Sequence, residues 1–216
     1  SAHFAFFEKI AVNKRIEMTE KIKDFLKNKD IQNILDVGTT EDNELASSNF
    51  IIKNLGNYNN YKSISDQNIE SNFFSKALKK SITDDFTDEE IKDFQSDLVI
   101  SNATIEHVGS FENQTKMCSN IIKLSKKYFI ILTPNRFHPF EFHTKLPLIH
   151  WFPKKFYRAI LRFIGLKFFA EEKNLNLCSE NDLRLMMKIT KNSDFKIDKI
   201  NFFYLRSNLI LLGTKA

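Results

Sequence analysis

The sequence predicts an α/β fold: a doubly wound, mostly parallel sheet of seven strands ending in an antiparallel hairpin, with a helical insertion after the fifth strand. Three observations carry this expectation. Short β-favouring runs alternate with amphipathic stretches through the centre of the chain, the pattern of a parallel sheet covered on both faces. Asp97-Leu98-Val99-Ile100-Ser101 and the run Tyr128 to Thr133 are mostly apolar, as strands buried on both sides require. The last two β-favouring runs, Phe195 to Tyr204 and Asn208 to Thr214, have no room for a crossover helix between them and must pair as a hairpin.

The elements follow in order. Glu8 to Lys29 reads as an amphipathic helix with Ile10, Met18, Ile22, Phe25 and Leu26 as its apolar stripe. A first strand, Ile31 to Val37, stops at Gly38. A helix is expected from about Asn43 to Leu55, where Gly56 is a stop signal. Tyr61 to Ser65 is the second strand, ending at Asp66. Phe73 to Leu78 is helical in outline, and Ser81-Ile82-Thr83 is expected as a short third strand. Thr87-Asp88-Glu89-Glu90 has the spacing of a capping box, in which a threonine hydroxyl and a glutamate each satisfy an unpaired amide of a helix start. Gln114 to Ser125 is the helix between the fourth and fifth strands.

Composition narrows the partners. A net charge of +5 is too small to name nucleic acid or membrane by itself, and no nucleic-acid-binding module is attached, so nucleic acid is not expected as a partner. Cys118 and Cys178 are far apart and match no metal or redox spacing; buried, reduced thiols are expected, and no residue is assigned to a metal. No apolar run approaches the roughly 18 residues of a membrane span, and the segment SAHFAFFEKI lacks the basic start and long apolar core of a secretory signal. A cytoplasmic location is expected.

The chemistry begins after the first strand. Leu35-Asp36-Val37-Gly38-Thr39-Thr40-Glu41-Asp42 is a strand, a single glycine and then two carboxylates. A pyrophosphate-binding loop needs several glycines so that bare amides can reach the phosphates, and carboxylates would repel them. The loop therefore suits a ligand that is not anionic at this point, such as the sulfonium and amino groups of S-adenosylmethionine. The same residues also fit an ordinary strand-to-turn glycine followed by a helix cap.

Longer strings add a resemblance. Asp36-Val37-Gly38 with Ser47-Ser48-Asn49-Phe50, then Ser101-Asn102-Ala103-Thr104-Ile105-Glu106-His107-Val108-Gly109, then Thr133-Pro134-Asn135-Arg136 through Glu141-Phe142-His143-Thr144, resemble a bacterial group of class I S-adenosylmethionine-dependent methyltransferases. This is the broad "type 11" group related to the ubiquinone and menaquinone methyltransferases. The similarity runs from about Ile31 to Cys178, and a subgroup also shares Leu146-Pro147-Leu148-Ile149-His150-Trp151-Phe152-Pro153. The resemblance implies a Rossmann-like sheet and S-adenosylmethionine as cofactor. It implies that Gly38 and Thr39 face the methionine part, with Asp36 shaping the loop. It implies that Asp66 accepts both ribose hydroxyls, that Asp84 lies near the adenine amino group, and that Asn102 lies beside the cofactor. Asp84 equally fits a helix-capping position ahead of Thr87. His107 is the candidate general base, useful if the acceptor is a hydroxyl, though Glu106-His107 can also serve to fix the loop. His138, His143 and Trp151 are the candidate acceptor contacts.

On this reading residues 1–30 form a leading helix, 31–136 the cofactor-binding core, 137–180 an insertion, and 181–216 a C-terminal helix and hairpin of one domain. The expected reaction is methyl transfer to a small or membrane-associated, lipid-linked acceptor, with oxygen preferred. The first loop lacks the family's second and third glycines, which keeps open a non-catalytic cofactor-fold protein serving in binding or interaction. A nicotinamide oxidoreductase is opposed by the missing glycine motif and the terminal hairpin.

The insertion is the segment expected to choose the acceptor. Phe142 to Ala170 holds no acidic residue but contains Lys145, Lys154, Lys155, Arg158, Arg162 and Lys167. On a helix starting at Lys154, a step of about 100° per residue gathers Lys154, Lys155, Arg158 and Arg162 into one arc. Phe156, Ile160, Phe163 and Ile164, with Tyr157 and Leu161, lie across from it. Such a helix either caps the active site or lies peripherally on an anionic membrane surface.

Overall fold

The computed structural model describes residues 2–42, 44–141, 143–202 and 204–215, with side chains from residue 8 onward. Asn43, Phe142 and Phe203, which fall within the expected second helix, insertion and hairpin, lie outside them. Helix α1 spans Ala2–Leu26 and is followed by β1 (Asn33–Val37), α2 (Phe50–Asn54), β2 (Asn60–Ser65), β3 (Lys76–Lys79) and α3 (Asp88–Phe94). Then come β4 (Ser96–Asn102), a 3-10 turn at Ile105–His107, α4 (Phe111–Leu124) and β5 (Ser125–Pro134). The insertion carries the short strands β6 (Phe140–Glu141) and β7 (Leu146–Pro147), a second 3-10 turn, α5 (Lys154–Phe163) and α6 (Lys167–Ala170). Helix α7 (Glu180–Ile189) leads into the hairpin β8 (Phe195–Phe202) and β9 (Leu205–Thr214).

The sheet order is β3-β2-β1-β4-β5-β9-β8. Every neighbouring pair from β3 to β5 is parallel, and β9 alone runs antiparallel, to both β5 and β8. The strand order reverses at β1, with β2 on one side and β4 on the other, so a crevice opens beyond their C-terminal ends.

Alternation along each strand sorts the core into two layers. Leu35, Val37, Val99, Phe129, Ile131 and Leu211 face one side, where α4 and α7 bring Met117, Cys118, Ile121, Leu183 and Met186. Ile34, Leu98, Ile100, Ile130, Leu132 and Ile210 face the other, where α1 and α2 bring Met18, Ile22, Leu26, Ile51 and Ile52. Both cysteines are free and buried, and burial pushes the Cys118 thiol up to about 12. Among the described residues no helix is long and apolar enough to cross a membrane.

Three expectations are corrected. Phe73 to Leu78 is not helical: it is a turn leading into β3, and Ser81 to Thr83 is a turn where the third strand was expected. The reason is pairing with β2, since Ser75 N–H donates to the Tyr61 carbonyl at 2.8 Å and Lys80 N–H to the Ser65 carbonyl at 2.7 Å. Phe73 packs on Tyr61 with ring centroids 4.6 Å apart, so the apolar residues cover the sheet edge rather than a helix stripe. The second helix is confined to Phe50–Asn54 because Asn49 is left-handed, with φ of 52°, which ends helical propagation toward the N-terminus. The capping box at Thr87 is present with both of its hydrogen bonds.

Candidate functional site

The loop leaving β1 is tied first to β2 and then to Asn49 at the start of α2. Gly38 has φ of +86°, and its N–H donates to the Ile64 carbonyl at 2.9 Å. A Cβ there would lie 2.0 Å from Thr104 Oγ1, so the absent side chain is what lets the loops after β1 and β4 meet. Ser65 Oγ donates to the Thr39 carbonyl at 2.6 Å, and Thr39 Oγ1 donates to Asp36 Oδ2 at 2.5 Å while accepting from Ser63 Oγ at 2.7 Å. Burial pushes the Asp36 carboxyl up to about 6, and the Thr39 hydroxyl offsets only part of that. Asn49 clamps Thr40 from both sides, accepting from its N–H at 3.1 Å and donating to its carbonyl at 2.8 Å.

Three adjoining cavities open at this edge. One of about 270 Å³ is lined by Gly38, Thr39, Asp66 and His107, among others. A second of about 180 Å³ is lined by Asp36, Gly38, Asn102 and Arg15. Five of the expected cofactor residues, Asp36, Gly38, Thr39, Asp66 and Asn102, therefore surround two pockets joined at Gly38, Thr40 and Ala103. Asp84 is exposed on its turn, lines none of the three cavities, and offers its backbone carbonyl to Asn120. Lys80, Ser81 and Ile82 line that end instead. Ala103, with φ of 54°, lies where all three cavities meet, a strained backbone conformation of the kind that collects at functional sites.

The third cavity, about 640 Å³, is built by α1, the insertion and the terminal hairpin together, with Ala11, Met18, Phe140 and Phe202 among its apolar lining. Glu8 and Arg15 of α1 reach this cavity and were not singled out from the sequence. Their signal was present: Glu8, Ala11, Arg15, Met18 and Ile22 repeat at helical spacing, which sets two charged residues on the stripe that faces the sheet. Glu8 accepts from Ser47 N–H at 2.8 Å and from its hydroxyl at 3.1 Å. Burial lowers the pKa of the Arg15 guanidinium and the charge of Glu8 opposes that.

Between the cavity lined by Gly38 and Asp66 and the large one stand Glu106, His107 and His143. One atom from each lies within 4.8 Å of the other two. His107 is partly exposed, with Nδ1 2.7 Å from the Asn174 carbonyl. Glu106 is fully buried; its Oε2 accepts from Thr133 Oγ1 at 3.1 Å, and its Oε1 has no hydrogen-bond partner among the described residues. His143 Nδ1 is 2.7 Å from Glu141 Oε1, and the two imidazoles meet edge to face at 5.1 Å. Burial would raise the Glu141 carboxyl, but hydrogen bonds and charge from His143, with further bonds from Thr144, hold it at about 2. Burial lowers the pKa of His143, yet its bond to Glu141 and the charges of Glu106 and Glu141 leave it raised. Of the other two expected acceptor contacts, His138 is buried with Nδ1 2.8 Å from the Phe140 carbonyl, and Trp151 is half exposed on the insertion. Neither lines the large cavity.

The basic arc of α5 is corrected. Lys154 turns inward to Asn176 Oδ1 at 2.6 Å, Arg158 pairs with Glu172 at 2.9 Å, and Arg162 with Glu171 at 3.4 Å. Those two glutamates follow directly after the acid-free stretch and return across α5 through the α6 turn. Tyr157 and Leu161 are buried, whereas Phe156 is 65% and Phe163 91% exposed, so of the arc Lys155 remains a surface cation beside an exposed apolar stripe.

No protein-family model and no curated protein sequence matches the chain. Solved structures do, through the fold. A protein from Listeria monocytogenes described as an S-adenosylmethionine-dependent methyltransferase superposes with a TM-score of 0.57 at 15% identity, covering 94% of this chain and 99% of that one. Magnesium protoporphyrin IX methyltransferase from Synechocystis PCC 6803, solved with bound S-adenosylhomocysteine, gives 0.54 at 13% identity over 93% and 82%. A protein from Rhodobacter sphaeroides described as a zinc-dependent alcohol dehydrogenase gives 0.58 at 12% identity over 90% and 88%. The chain shares a Rossmann-like fold with these structures, here with β9 antiparallel within the sheet. The dehydrogenase description of the third neighbour marks the limit of that likeness: a shared fold does not decide the chemistry, and the site must.

Proposed function

We propose that this protein transfers a methyl group from S-adenosylmethionine to a small or lipid-linked acceptor, with oxygen as the preferred atom. The observation that carries the reading is the meeting, at Ala103, of the Gly38–Asp66 cavity with an apolar cavity of about 640 Å³. That volume lies within the ordinary range of small-molecule sites. A single-glycine loop followed by Glu41 and Asp42 suits a cationic cofactor and not a pyrophosphate, which favours S-adenosylmethionine over a nicotinamide dinucleotide. Asp66 offers paired acceptors for the ribose hydroxyls. Arg15, at the junction of the inner and large cavities, suits the cofactor's carboxylate.

Methyl transfer from a sulfonium is an in-line displacement, so most of the acceleration comes from holding donor and acceptor in register. His107 is the imidazole that lines the Gly38–Asp66 cavity. Its Nδ1 proton is engaged by the Asn174 carbonyl, which leaves Nε2 to deal with the acceptor's proton. The exposed stripe of α5, Phe156 and Phe163, with Phe168 of α6 and the cations Lys155 and Lys167, supports loose contact with an anionic lipid surface, from which a lipid-linked acceptor would be drawn.

Calorimetry with S-adenosylmethionine, S-adenosylhomocysteine and NAD tests the reading. Saturable binding of both adenosyl ligands and none of NAD is expected; the reverse pattern overturns it. Cofactor binding without turnover on any oxygen acceptor would favour a non-catalytic binding protein.

A further inference from the structure

We propose that Glu106, His107 and His143 form a binding site for a single divalent transition-metal ion at the junction of the cofactor and acceptor cavities. The inference deepens the methyl-transfer reading and rests on it only for the ion's purpose; the site itself is argued from its atoms.

Each member offers one atom to a common point, all within 4.8 Å of one another. Both imidazoles have Nδ1 engaged: His107 Nδ1 at 2.7 Å from the Asn174 carbonyl, His143 Nδ1 at 2.7 Å from Glu141 Oε1. With each Nδ1 hydrogen committed to an oxygen, Nε2 is the nitrogen that each neutral ring offers, and an ion competes there with a proton. A histidine whose far nitrogen is fixed by a carbonyl or carboxylate is the usual second layer around a metal ligand. Glu106 supplies the third atom and the strongest reason. Its Oε1 is buried without a hydrogen-bond partner among the described residues, 4.0 Å from His107 Nε2. An acceptor left so is expensive in the fold, and an ion satisfies it.

Two imidazoles and one carboxylate select a borderline first-row ion over magnesium or calcium, which prefer oxygen donors. Three protein ligands leave positions open for an acceptor. Ligand atoms around a bound ion of this kind stand about 3.3 Å apart, so binding must draw the trio inward. His107 is partly exposed and His143 lies on the short connection between β6 and β7, so these two are the members placed to move.

With His107 Nε2 held by the ion, the ion replaces that nitrogen in activating the acceptor: it would take an acceptor hydroxyl and lower its pKa. The O–H bond then breaks with the proton released to solvent, the oxygen pair forms the new bond to the methyl carbon, and the sulfur–methyl pair returns to sulfur. The products are the methyl ether or ester, S-adenosylhomocysteine and one proton.

The test is titration of the full chain with Co²⁺ followed by visible absorption, and with Zn²⁺ followed by calorimetry, on wild type, Glu106→Gln and His143→Ala. S-adenosylhomocysteine is titrated in parallel without metal. One ion per chain is expected, with affinity lowered at least about tenfold in each variant and S-adenosylhomocysteine affinity unchanged in His143→Ala. His143 lies on a connecting loop, so that variant remains informative if Glu106→Gln does not fold. No saturable ion binding, or equal affinity in wild type and His143→Ala, overturns the site. Silence from S-adenosylhomocysteine overturns the cofactor reading and leaves the ion result standing.

Discussion

Three glycines separate the two ways in which a methyl group can damage this fold. Gly38 and Gly165 have nearly the same backbone angle, φ of +86° and +87°, but opposite surroundings. A Cβ at Gly165 meets nothing within 4 Å, so Gly165→Ala carries only left-handed strain, about 1–2 kcal/mol. Gly213 has no such angle, but its Cβ would lie 2.1 Å from the ring of Phe129, so Gly213→Ala carries only crowding, about 1–3 kcal/mol. Gly38→Ala carries both. Rotating Thr104 does not relieve it, because Thr104 Cβ itself would be 2.9 Å away and Thr104 follows the left-handed Ala103. The expected loss is about 2–5 kcal/mol, read from urea midpoints with the slope unchanged. S-adenosylhomocysteine binding should be lost in Gly38→Ala and kept in the other two under conditions where each is folded. Gly38→Ala no less stable than Gly165→Ala, and binding normally, would refute the close approach of the two loops as the architecture of the site.

Further outcomes are expected. Asp66→Ala should weaken S-adenosylhomocysteine binding by about 1.5–3 kcal/mol without changing the melting curve; unchanged affinity by calorimetry would remove Asp66 from the ribose site. Asp36 has its carboxyl raised from 3.8 to about 6 by burial, so the native state holds that proton more tightly than the unfolded chain does. Stability from this group is present below about pH 4, falls as pH rises to about 6 and stays lost above, by roughly 3 kcal/mol. Asp36→Asn should remove that slope in denaturant midpoints measured across the window, and a parallel pH profile would contradict the shift. Wild type should float with anionic vesicles at low salt and Phe156→Ser/Phe163→Ser should not; wild type that ignores anionic vesicles ends the surface-contact reading.

What could be read from the sequence followed from short-range rules. Alternating apolar runs give the strands, the Thr87 box gives a helix start, and two adjacent strands without a crossover give the hairpin. The glycine after β1 marked the crevice. Phe73 and Phe74 misled because two aromatics and an alanine before a lysine pair look alike on a helix stripe and at a sheet edge; pairing with β2 decides, and pairing is not local. The basic arc of α5 misled for a related reason. Helical spacing gathers Arg158 and Arg162 correctly, but Glu171 and Glu172 approach only through the turn of α6. Arg15 was legible in principle, as a charge on a buried stripe. His143 beside Glu106 was not, since 36 intervening residues and two loops must fold before the atoms meet.

Asn176 explains why those loops meet where they do. It is nearly fully buried and every polar group it carries is used. Its N–H donates to the Glu106 carbonyl at 2.7 Å and its Nδ2 to the Gly109 carbonyl at 2.7 Å. Its carbonyl accepts from Gln114 Nε2 at 2.7 Å and its Oδ1 from Lys154 at 2.6 Å. Two residues on, Cys178 accepts from Arg136 N–H at 2.9 Å and bridges Asn135, while Asn174 fixes His107. The stretch read from the sequence as one insertion is thus two things. The part up to Ala170 lines the large cavity at Phe140 and His143 and packs a small cluster of its own around Tyr157, Leu161 and Ala170, and the part from Asn174 to Cys178 is stitched into the core against the loop that carries Glu106 and His107. A buried amide with all its hydrogen bonds made is costly to disturb. Lys154 at the start of α5 and the Glu106 loop are therefore anchored to the same residue, so displacement of this end of α5 is opposed by the hydrogen bonds that hold Glu106 and His107 in place.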